Sequence, residues 1–291
     1  MHNPGVFFSV VYPQALTYLK DVRESALSQT RKDFDVIVVN DGCEKEQIIE
    51  QLQGLNISIL EAEGGFTANR LQGINYAKDH GYKYLLFCDA DDNFTANRYE
   101  RTVVEFEESN ADIIVCNLNI ANEKCEPFLN EYFSKEIPED RWIDVEFLKD
   151  KNILGMSNAA ICLDSLSEDI QMPETPIVDW LLFTTLLLKG LKAKYITDSM
   201  VNYRQYSSNM IGITKYDVVS FKKLAGLKNN HYRLLVESGY PQYEELYQES
   251  LTLLTLSDVE IENIVKREIS MHPQPLWWQI IKYNNKNISN E

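Results

Sequence analysis

Short apolar runs alternate with segments of helical period over the first 120 residues of this 291-residue chain. This alternation predicts crossover units, in which a helix connects two parallel strands of one sheet. The run from Tyr82 to Cys88 is almost wholly apolar, so we expect a central strand covered on both faces. The predicted strands cover residues 7–11, 35–39, 57–60, 82–88 and 112–118, and the predicted helices cover about 19–27, 67–78 and 99–107. The sequence thus predicts an α/β protein with a mostly parallel central sheet.

The alternation becomes irregular after residue 118, and loops with short edge strands are expected from 119 to 144. The elements predicted next are a helix near 145–149, a strand near 159–163, a helix at 178–189, and strands at 193–196 and 200–204. Beyond Thr214 the sequence predicts successive helices, interrupted around residues 239–241 and followed by a polar tail after Tyr283. We therefore divide the chain into an α/β domain at 1–212 and a helical region at 213–291.

Charge and cysteine content exclude several classes of protein. The chain has 28 basic and 44 acidic residues and a formal net charge of −16, which would repel nucleic-acid phosphates, so no nucleic-acid partner is expected. The five cysteines are scattered and lack CxxC spacing, which argues against a disulfide framework or a zinc site. No stretch reaches the roughly 20 apolar residues of a membrane span. We expect a cytoplasmic protein, with peripheral contact at the inner face of the membrane left open.

Two acidic loops follow predicted strands: Asp41 comes after the second strand, and the cluster Asp89–Asp92 comes after the fourth. In parallel α/β sheets, ligands bind at the carboxyl ends of the strands. Asp89 and Asp91 are one residue apart and can project to the same side, where a hard cation such as Mg²⁺ or Mn²⁺ could bind them and substrate phosphate oxygens. An alternative interpretation is a solvated turn in which Asp92 or Thr95 caps the next helix.

Five segments, taken in order along the chain, resemble those of the family 2 glycosyltransferases. Residues 34–43 resemble the segment "EIIVVDDGS", residues 64–74 resemble "GGxSxARNxGI", and residues 84–92 resemble "YIxFLDSDD". Residues 178–181 fall where the family has an "EDW" element, and residues 201–209 are similar to "VxYRxHxxN". The ordered set, which runs from about residue 6 to 212, is far more specific than any one segment.

The resemblance implies a GT-A, Rossmann-like fold in which helices flank the sheet and a helical extension follows it. Residues 1–118 would form the nucleotide-sugar-binding half and residues 119–212 the acceptor and catalytic half. The implied activity is inverting transfer of a sugar from a nucleotide-diphosphate donor, a UDP-sugar being favoured, to a hydroxyl acceptor. A saccharide or lipid-linked saccharide would be the acceptor, in the synthesis of a bacterial surface polysaccharide or glycolipid.

The resemblance also implies roles for residues at the donor site. Asn40 and Asp41 would lie by the nucleotide base and ribose, and Arg70 would approach the base or the diphosphate. Asp89 and Asp91 would hold the ribose and the metal, Mn²⁺ or Mg²⁺.

Asp179 occupies the position of the family's catalytic base. The chemistry agrees, because attack at an anomeric carbon needs a base to remove the acceptor's hydroxyl proton, whereas the leaving diphosphate needs positive charge. Asp179 also opens an amphipathic helix, so a helix N-cap or first-turn acid is the alternative interpretation.

Three positions depart from the family pattern. Tyr206 stands where many members have a metal-binding histidine, Val178 replaces an acid, and residues 10–14 lack the usual "PVYN" loop. Two other functions therefore remain open. One is a catalytically silent nucleotide-sugar-binding protein. The other is a sugar nucleotidyltransferase, although Tyr12–Ala15 is not the glycine-rich, basic loop expected of that class.

Overall fold

One mixed sheet forms the centre of the protein, whose computed structural model describes residues 3–206, 217–271, 279 and 281. Its strands are β1 (Gly5–Val11), β2 (Phe34–Asn40), β3 (Ile57–Glu61), β4 (Tyr84–Phe87), β5 (Asn93–Phe94), β6 (Ile113–Ala121), β7 (Pro127–Leu129), β8 (Trp142–Ile143), β9 (Ala159–Cys162) and β10 (Ala193–Arg204). The helices are α1 (Leu19–Leu27), α2 (Lys45–Gln51), α3 (Phe66–Asp79), α4 (Arg98–Ser109), α5 (Val178–Leu188), α6 (Val218–Glu237), α7 (Glu244–Leu253) and α8 (Asp258–Met271). The main strand order is β3-β2-β1-β4-β9-β6-β10-β5, with β7 on β6 and β8 on β10.

The first four strands of the main order pair in parallel, as the alternating pattern predicts. β1 and β2 are buried along their whole length because helices cover the sheet, which explains their continuous apolar runs. The short helix α2 was not predicted from the sequence. Only Ile48 of its seven residues is buried, so it has no apolar stripe from which a helical period could be detected.

The second half of the sheet is mixed. β9 runs antiparallel to both β4 and β6, whereas β6 and β10 are parallel. The two strands predicted at 193–196 and 200–204 are one long strand, β10, whose register with β6 shifts between Ile196 and Met200. The sheet thus brings the end of β10 beside elements that precede it by about 100 residues.

The helix predicted near 145–149 is wrong. The described backbone there contains only turns, such as the bond from Leu148 N–H to Asp144 carbonyl oxygen, and the Asp144 side chain accepts from Phe147 N–H. A segment of this length cannot offset the unfavourable nucleation of a helix unless tertiary packing stabilises it.

Helices α6, α7 and α8 form the predicted helical C-terminal region, and the break around residues 239–241 separates α6 from α7. The His231 ring of α6 stacks on Trp180 of α5, with ring centroids 3.8 Å apart. Burial lowers the pKa of His231 well below its ordinary value, so this ring packs as a neutral group. The predicted boundary at 212/213, the end of the segment at 201–209 and the tail after Tyr283 lie outside the described residues. Among the helices that are described, none combines the length and apolar character needed to cross a bilayer.

Helix α3 lies close to β1 because Gly73 has no side chain. A Cβ atom at Gly73 would overlap the buried ring of Phe8. In contrast, a Cβ atom at Gly226 in α6 would meet nothing within 4 Å.

We predict that Gly73→Ala lowers the free energy of unfolding by about 1–3 kcal/mol, because the new methyl group overpacks the interface of α3 and β1. Gly226→Ala is the matched control. It should raise the free energy of unfolding by about 0.5–1 kcal/mol, because alanine loses less backbone entropy in a helix. Urea denaturation measures both, and a neutral Gly73→Ala would contradict the contact.

Candidate active site

The acidic loop at Asp89–Asp92 begins where β4 leaves the sheet. Cys88 N–H still donates to the Phe8 carbonyl oxygen at 2.9 Å, after which the chain turns and Asp92 N–H donates to Asp89 carbonyl oxygen at 3.3 Å. Asp91 is 8% exposed and Asp92 is 2% exposed. Three carboxyl groups are therefore gathered in a largely dry place, where like charges repel more strongly than in water.

Asp92 is tied to two distant elements. Its carboxylate accepts a hydrogen bond from the Ser157 hydroxyl and another from Arg204 N–H at 2.7 Å. It does not cap the helix that follows, because α4 begins after Asn97 and has no side-chain cap, and the Thr95 hydroxyl donates to Met200 instead. Burial and the neighbouring carboxylates raise the pKa of Asp92 well above its ordinary value.

Asp91 accepts hydrogen bonds from two tyrosines. The hydroxyl of Tyr206 lies 2.5 Å from its Oδ2 atom, and that of Tyr12 lies 3.3 Å from the same oxygen. Burial, followed by the charge of Asp91, raises the pKa of both tyrosines, so both remain neutral donors. The two departures from the family pattern, in the loop after β1 and at the histidine position, thus meet on one carboxylate.

Arg204 holds this loop from the end of β10. Its guanidinium Nε donates to the Asp91 carbonyl oxygen, and its Nη2 atom pairs with Asp21 Oδ2, each at 2.5 Å. Its Nη1 atom donates to the Glu123 carbonyl oxygen at 2.5 Å, and its flat face lies 4.3 Å from the Tyr18 ring centroid. Arg204 is 1% exposed, so these partners replace its water shell.

Asp179 lies in the first turn of α5, and its side chain does not act as an N-cap. Its Oδ1 atom accepts from Trp180 N–H at 2.8 Å, and its Oδ2 atom accepts from the Asn152 amide at 3.0 Å. Asp179 and Asp89 line the same cavity, of about 100 Å³. The two acids that the sequence placed 90 residues apart are therefore brought to one site.

The electrostatics of this cavity involve Arg70 as well as the two acids. Burial, and then the charge of Asp91, raises the pKa of Asp89 to about 7, whereas Arg70 lowers it. Burial also raises the pKa of Asp179, and its two hydrogen bonds and Arg70 lower it. Arg70 is therefore close enough to act on both carboxylates.

The start of α3, which carries Arg70, is bonded to the segment that precedes α5. Thr67 N–H donates to the Glu174 carboxylate at 3.2 Å, and the Thr67 hydroxyl donates to the Pro173 carbonyl oxygen at 3.2 Å. Thr175 N–H donates back to the Thr67 hydroxyl at 3.1 Å. These bonds hold the two helix starts on one side of the cleft.

Asn40 ends β2, and Asp41 follows it at the same edge of the sheet. The Asn40 side chain is occupied by its own turn: its Oδ1 atom accepts from Cys43 N–H at 2.8 Å, and its amide donates to Cys43 and Glu61. Asp41 is exposed, and its backbone N–H donates to Val11 at 2.7 Å. Asn40 thus shapes the loop, and the backbone bond of Asp41 ties this loop to the end of β1.

Sequence reasoning missed Asn152, Ser157 and Tyr12 as site residues. Asn152 and Ser157 belong to an irregular segment, and their partners lie 27 and 65 residues away along the chain. No local pattern could have identified them, although the departure at residues 10–14 pointed to the neighbourhood of Tyr12.

The donor atoms at Asp89 and Asp91 suit a partly hydrated cation. Within the part of the chain that the structure describes, no three His, Cys, Asp or Glu side chains are grouped to hold a metal ion by themselves. Mg²⁺ and Mn²⁺ need no such cage, because they commonly bind one or two carboxylates together with substrate phosphate and water oxygens. The two carboxylates therefore fit a metal that is shared with a diphosphate.

Curated relatives match part of the chain. An uncharacterized glycosyltransferase of Rickettsia prowazekii (strain Madrid E) is 30% identical over 128 residues, which cover 43% of this chain and 39% of the relative. The uncharacterized glycosyltransferase EpsJ of Bacillus subtilis (strain 168) is 30% identical over 104 residues, which cover 34% and 29%. The chain thus spans less than half the length of these relatives.

Solved structures match nearly the whole chain. Staphylococcus aureus TarS 1–349 has a TM-score of 0.59 at 15% identity, over 93% of this chain and 77% of that one. The Pyrobaculum calidifontis mannosyltransferase PcManGT, solved with GDP-Man and Mn²⁺, has a TM-score of 0.58 at 13% identity with the same coverage. The predicted GT-A fold is confirmed by this likeness.

The family model for glycosyl transferase family 2 matches residues 10–160. The match contains the end of β1, all of β2 to β8, the start of β9, the acidic loop and Arg70, and it extends over more than half of the chain. The protein therefore belongs to glycosyltransferase family 2.

Proposed function

We propose that the protein is an inverting glycosyltransferase that moves a sugar from a nucleotide-diphosphate donor to a hydroxyl acceptor. The observation that carries this proposal is that Asp89 and Asp179 line one cavity. In a direct displacement, the general base acts on one face of the anomeric carbon and the diphosphate leaves from the opposite face. The base and the acid that holds the metal must therefore lie around the same sugar. Arg70, which acts on both carboxylates, is a suitable cation for the diphosphate.

Asp179 is the proposed base. As the acceptor oxygen forms its bond to the anomeric carbon, its proton passes to Asp179, and the bond from that carbon to the diphosphate oxygen breaks with its electron pair. Burial raises the pKa of Asp179, which strengthens it as a base, while the bonds from Trp180 N–H and Asn152 favour its charged form. One displacement from the face opposite the leaving group inverts the anomeric centre.

Asp89 and Asp91 are the proposed holders of the metal and the donor ribose, with Asn40 and Asp41 on the nucleoside side. Mn²⁺ or Mg²⁺ bound there would supply positive charge to the leaving diphosphate. TarS has been solved with UDP-GlcNAc and PcManGT with GDP-Man and Mn²⁺, which supports a nucleotide sugar as donor and a divalent metal as cofactor. A UDP-sugar remains the favoured donor, as the resemblance implies.

The proposed setting is the bacterial cytoplasm, with peripheral contact at the inner face of the membrane left open, in the synthesis of a surface polysaccharide or glycolipid. Relatives in Rickettsia and Bacillus support a bacterial role. The acceptor would be a saccharide or a lipid-linked saccharide.

One observation favours a second candidate, a nucleotide-sugar-binding protein without turnover. Tyr206 donates a 2.5 Å hydrogen bond to Asp91 Oδ2, an oxygen that a metal would otherwise be free to bind. Neutral tyrosine is a poor ligand for hard cations, so this contact could leave the donor bound but unactivated.

Incubation with Mn²⁺ and a panel of UDP- and GDP-sugars tests the proposal. We expect release of the nucleoside diphosphate with at least one donor, and loss of that release when EDTA removes the metal. Release of pyrophosphate would identify a nucleotidyltransferase instead. A raised melting temperature without any release would identify the silent binding protein.

Asp179→Asn should lower kcat by about 10²–10⁴-fold, because the amide cannot accept the acceptor proton. Donor affinity, measured by thermal shift, should stay within about twofold of wild type, since the base contributes to the transition state and not to donor binding. Asp169→Asn is the control, because Asp169 is an exposed acid paired with Lys78. Retained turnover with lost donor affinity would contradict the assignment of the base.

Tyr206→His should tighten Mn²⁺ binding in the presence of UDP by about tenfold, because an imidazole nitrogen replaces a poor ligand and Asp91 Oδ2 loses one of its two tyrosine hydrogen bonds. Tyr206→Phe separates the two effects, since it removes the hydroxyl without adding a ligand. Calorimetric titration with Mn²⁺ measures both variants. Equal affinities for Tyr206→His and Tyr206→Phe would show that residue 206 does not reach the metal.

A further inference from the structure

The cavity beneath Asp89 and Asp179 has a polar rim and an apolar wall. Its other polar lining residues include Asn152, Ser157 and Asn158. The apolar wall consists of Leu118, Phe133, Ile153, Met156 and Ile177. Polar and apolar surfaces side by side suit a sugar ring, which has apolar faces and hydroxyl groups at its edge, and the transferred sugar is an occupant of this kind.

Asn152 lies on this cavity and is 8% exposed. Its amide nitrogen donates to Asp179 Oδ2 at 3.0 Å. This contact fixes the orientation of the amide, because a carboxylate accepts hydrogen bonds and would repel the Oδ1 atom. The Oδ1 atom is then buried with no hydrogen-bond partner among the residues that the structure describes.

A buried acceptor without a partner is costly, and such groups in native structures call for an explanation. The neighbouring Asn158 lines the same cavity but has every polar group paired. Its Oδ1 atom accepts from Gly155 N–H at 2.8 Å, and its amide donates to Cys116 and Ile153 carbonyl oxygens at 3.0 and 3.1 Å. The contrast identifies Asn152 as the asparagine with a hydrogen-bonding position left for a ligand.

The cavity therefore presents three acceptors: the carboxylates of Asp89 and Asp179 and the Oδ1 atom of Asn152. Hydroxyl groups of a sugar can donate to all three. A carboxylate on the sugar could donate to none of them, and the Asp179 carboxylate, which is not assigned to the metal, would repel it.

We propose that Asn152 joins the base to the transferred sugar: its amide nitrogen positions Asp179, and its Oδ1 atom accepts a hydrogen bond from a sugar hydroxyl, so the cavity takes neutral sugars and rejects carboxylated ones. The inference rests on the proposed function, because it assigns a donor class to the same site. Asn152 acts on the base through Asp179 and is in that respect a positioning residue.

Burial raises the pKa of Asp179, and groups on the elements around it act in the opposite direction. Trp180 N–H of α5 lowers this pKa, as does Arg70 of α3. Asp89, on the loop after β4, and Tyr203 of β10 are the other titratable groups on the cavity. The Asn152 amide also lowers the pKa of Asp179. Its removal should therefore move the titration of Asp179 to higher pH.

The first experiment compares donors that differ in a single group. The melting temperature is measured with Mn²⁺ and UDP, UDP-glucose, UDP-galactose, UDP-GlcNAc, UDP-glucuronate or UDP-galacturonate, with GDP and GDP-mannose as a second series. At least one neutral nucleotide sugar should raise the melting temperature more than the matching nucleoside diphosphate does. Neither uronate should raise it more than UDP does. An equal increment from a uronate and its neutral partner would overturn the specificity.

The second experiment compares Asn152→Leu, which removes both polar groups, with Asn152→Asp, which keeps an oxygen acceptor but loses the donor. Asn152→Leu should weaken binding of the neutral sugar donor about tenfold and leave UDP binding unchanged. Asn152→Asp should keep more of the sugar increment, which is the rise in melting temperature with the nucleotide sugar beyond the rise with UDP. In both variants the carbon-13 signal of the Asp179 carboxyl group, assigned with Asp179→Asn, should titrate at higher pH than in wild type. An unchanged titration would overturn the positioning role.

The outcomes separate this inference from the proposed function. If no nucleotide or nucleotide sugar binds the wild-type protein, the proposed function fails and the sugar contact falls with it, while the Asp179 titration still decides the contact of Asn152 with Asp179. If donors bind and turn over but Asn152→Leu keeps its sugar increment, only the inference fails.

Discussion

The site depends on the position of one buried arginine. Arg204 pairs with Asp21, donates to the Asp91 carbonyl oxygen, and presents its backbone N–H to the Asp92 carboxylate. An acidic loop in a low-dielectric place would be driven apart by its own charges unless hydrogen bonds and a nearby cation opposed that repulsion. Because Arg204 ends β10, it also fixes the loop to the strand that leads to Tyr206.

The antiparallel strand β9 is what closes the cleft. It lies between β4 and β6, so the segment before it, which contains Asn152 and Ser157, is carried to the exit of β4. Helix α5 then places Asp179 on the other side of the same cavity, and the stack of Trp180 on His231 supports that helix from α6. The helical C-terminal region thus packs directly behind the residue proposed as the base.

Patterns of apolar residues were sufficient for most of the fold and failed where burial was sparse. The parallel strands of the first half were predicted because their continuous apolar runs reflect burial on both faces. Helix α2 was missed because it buries only Ile48, and the helix predicted near 145–149 is a series of turns. In the site, Asp89 and Asp179 were named from the sequence, while Asn152 and Ser157 were not, because each contacts an acid far along the chain.

The sequence by itself determined the α/β class, the order of the elements and the identities of the acids, because periodicity and strand-end residues are local properties that one segment carries alone. Only the tertiary structure decided that Asp89 and Asp179 share a cavity, that Tyr12 and Tyr206 meet on Asp91, and that one oxygen of Asn152 has no partner. These are contacts between segments distant in the chain. They arise from the order of the strands in the sheet and the packing of α5, which no local pattern of residues encodes.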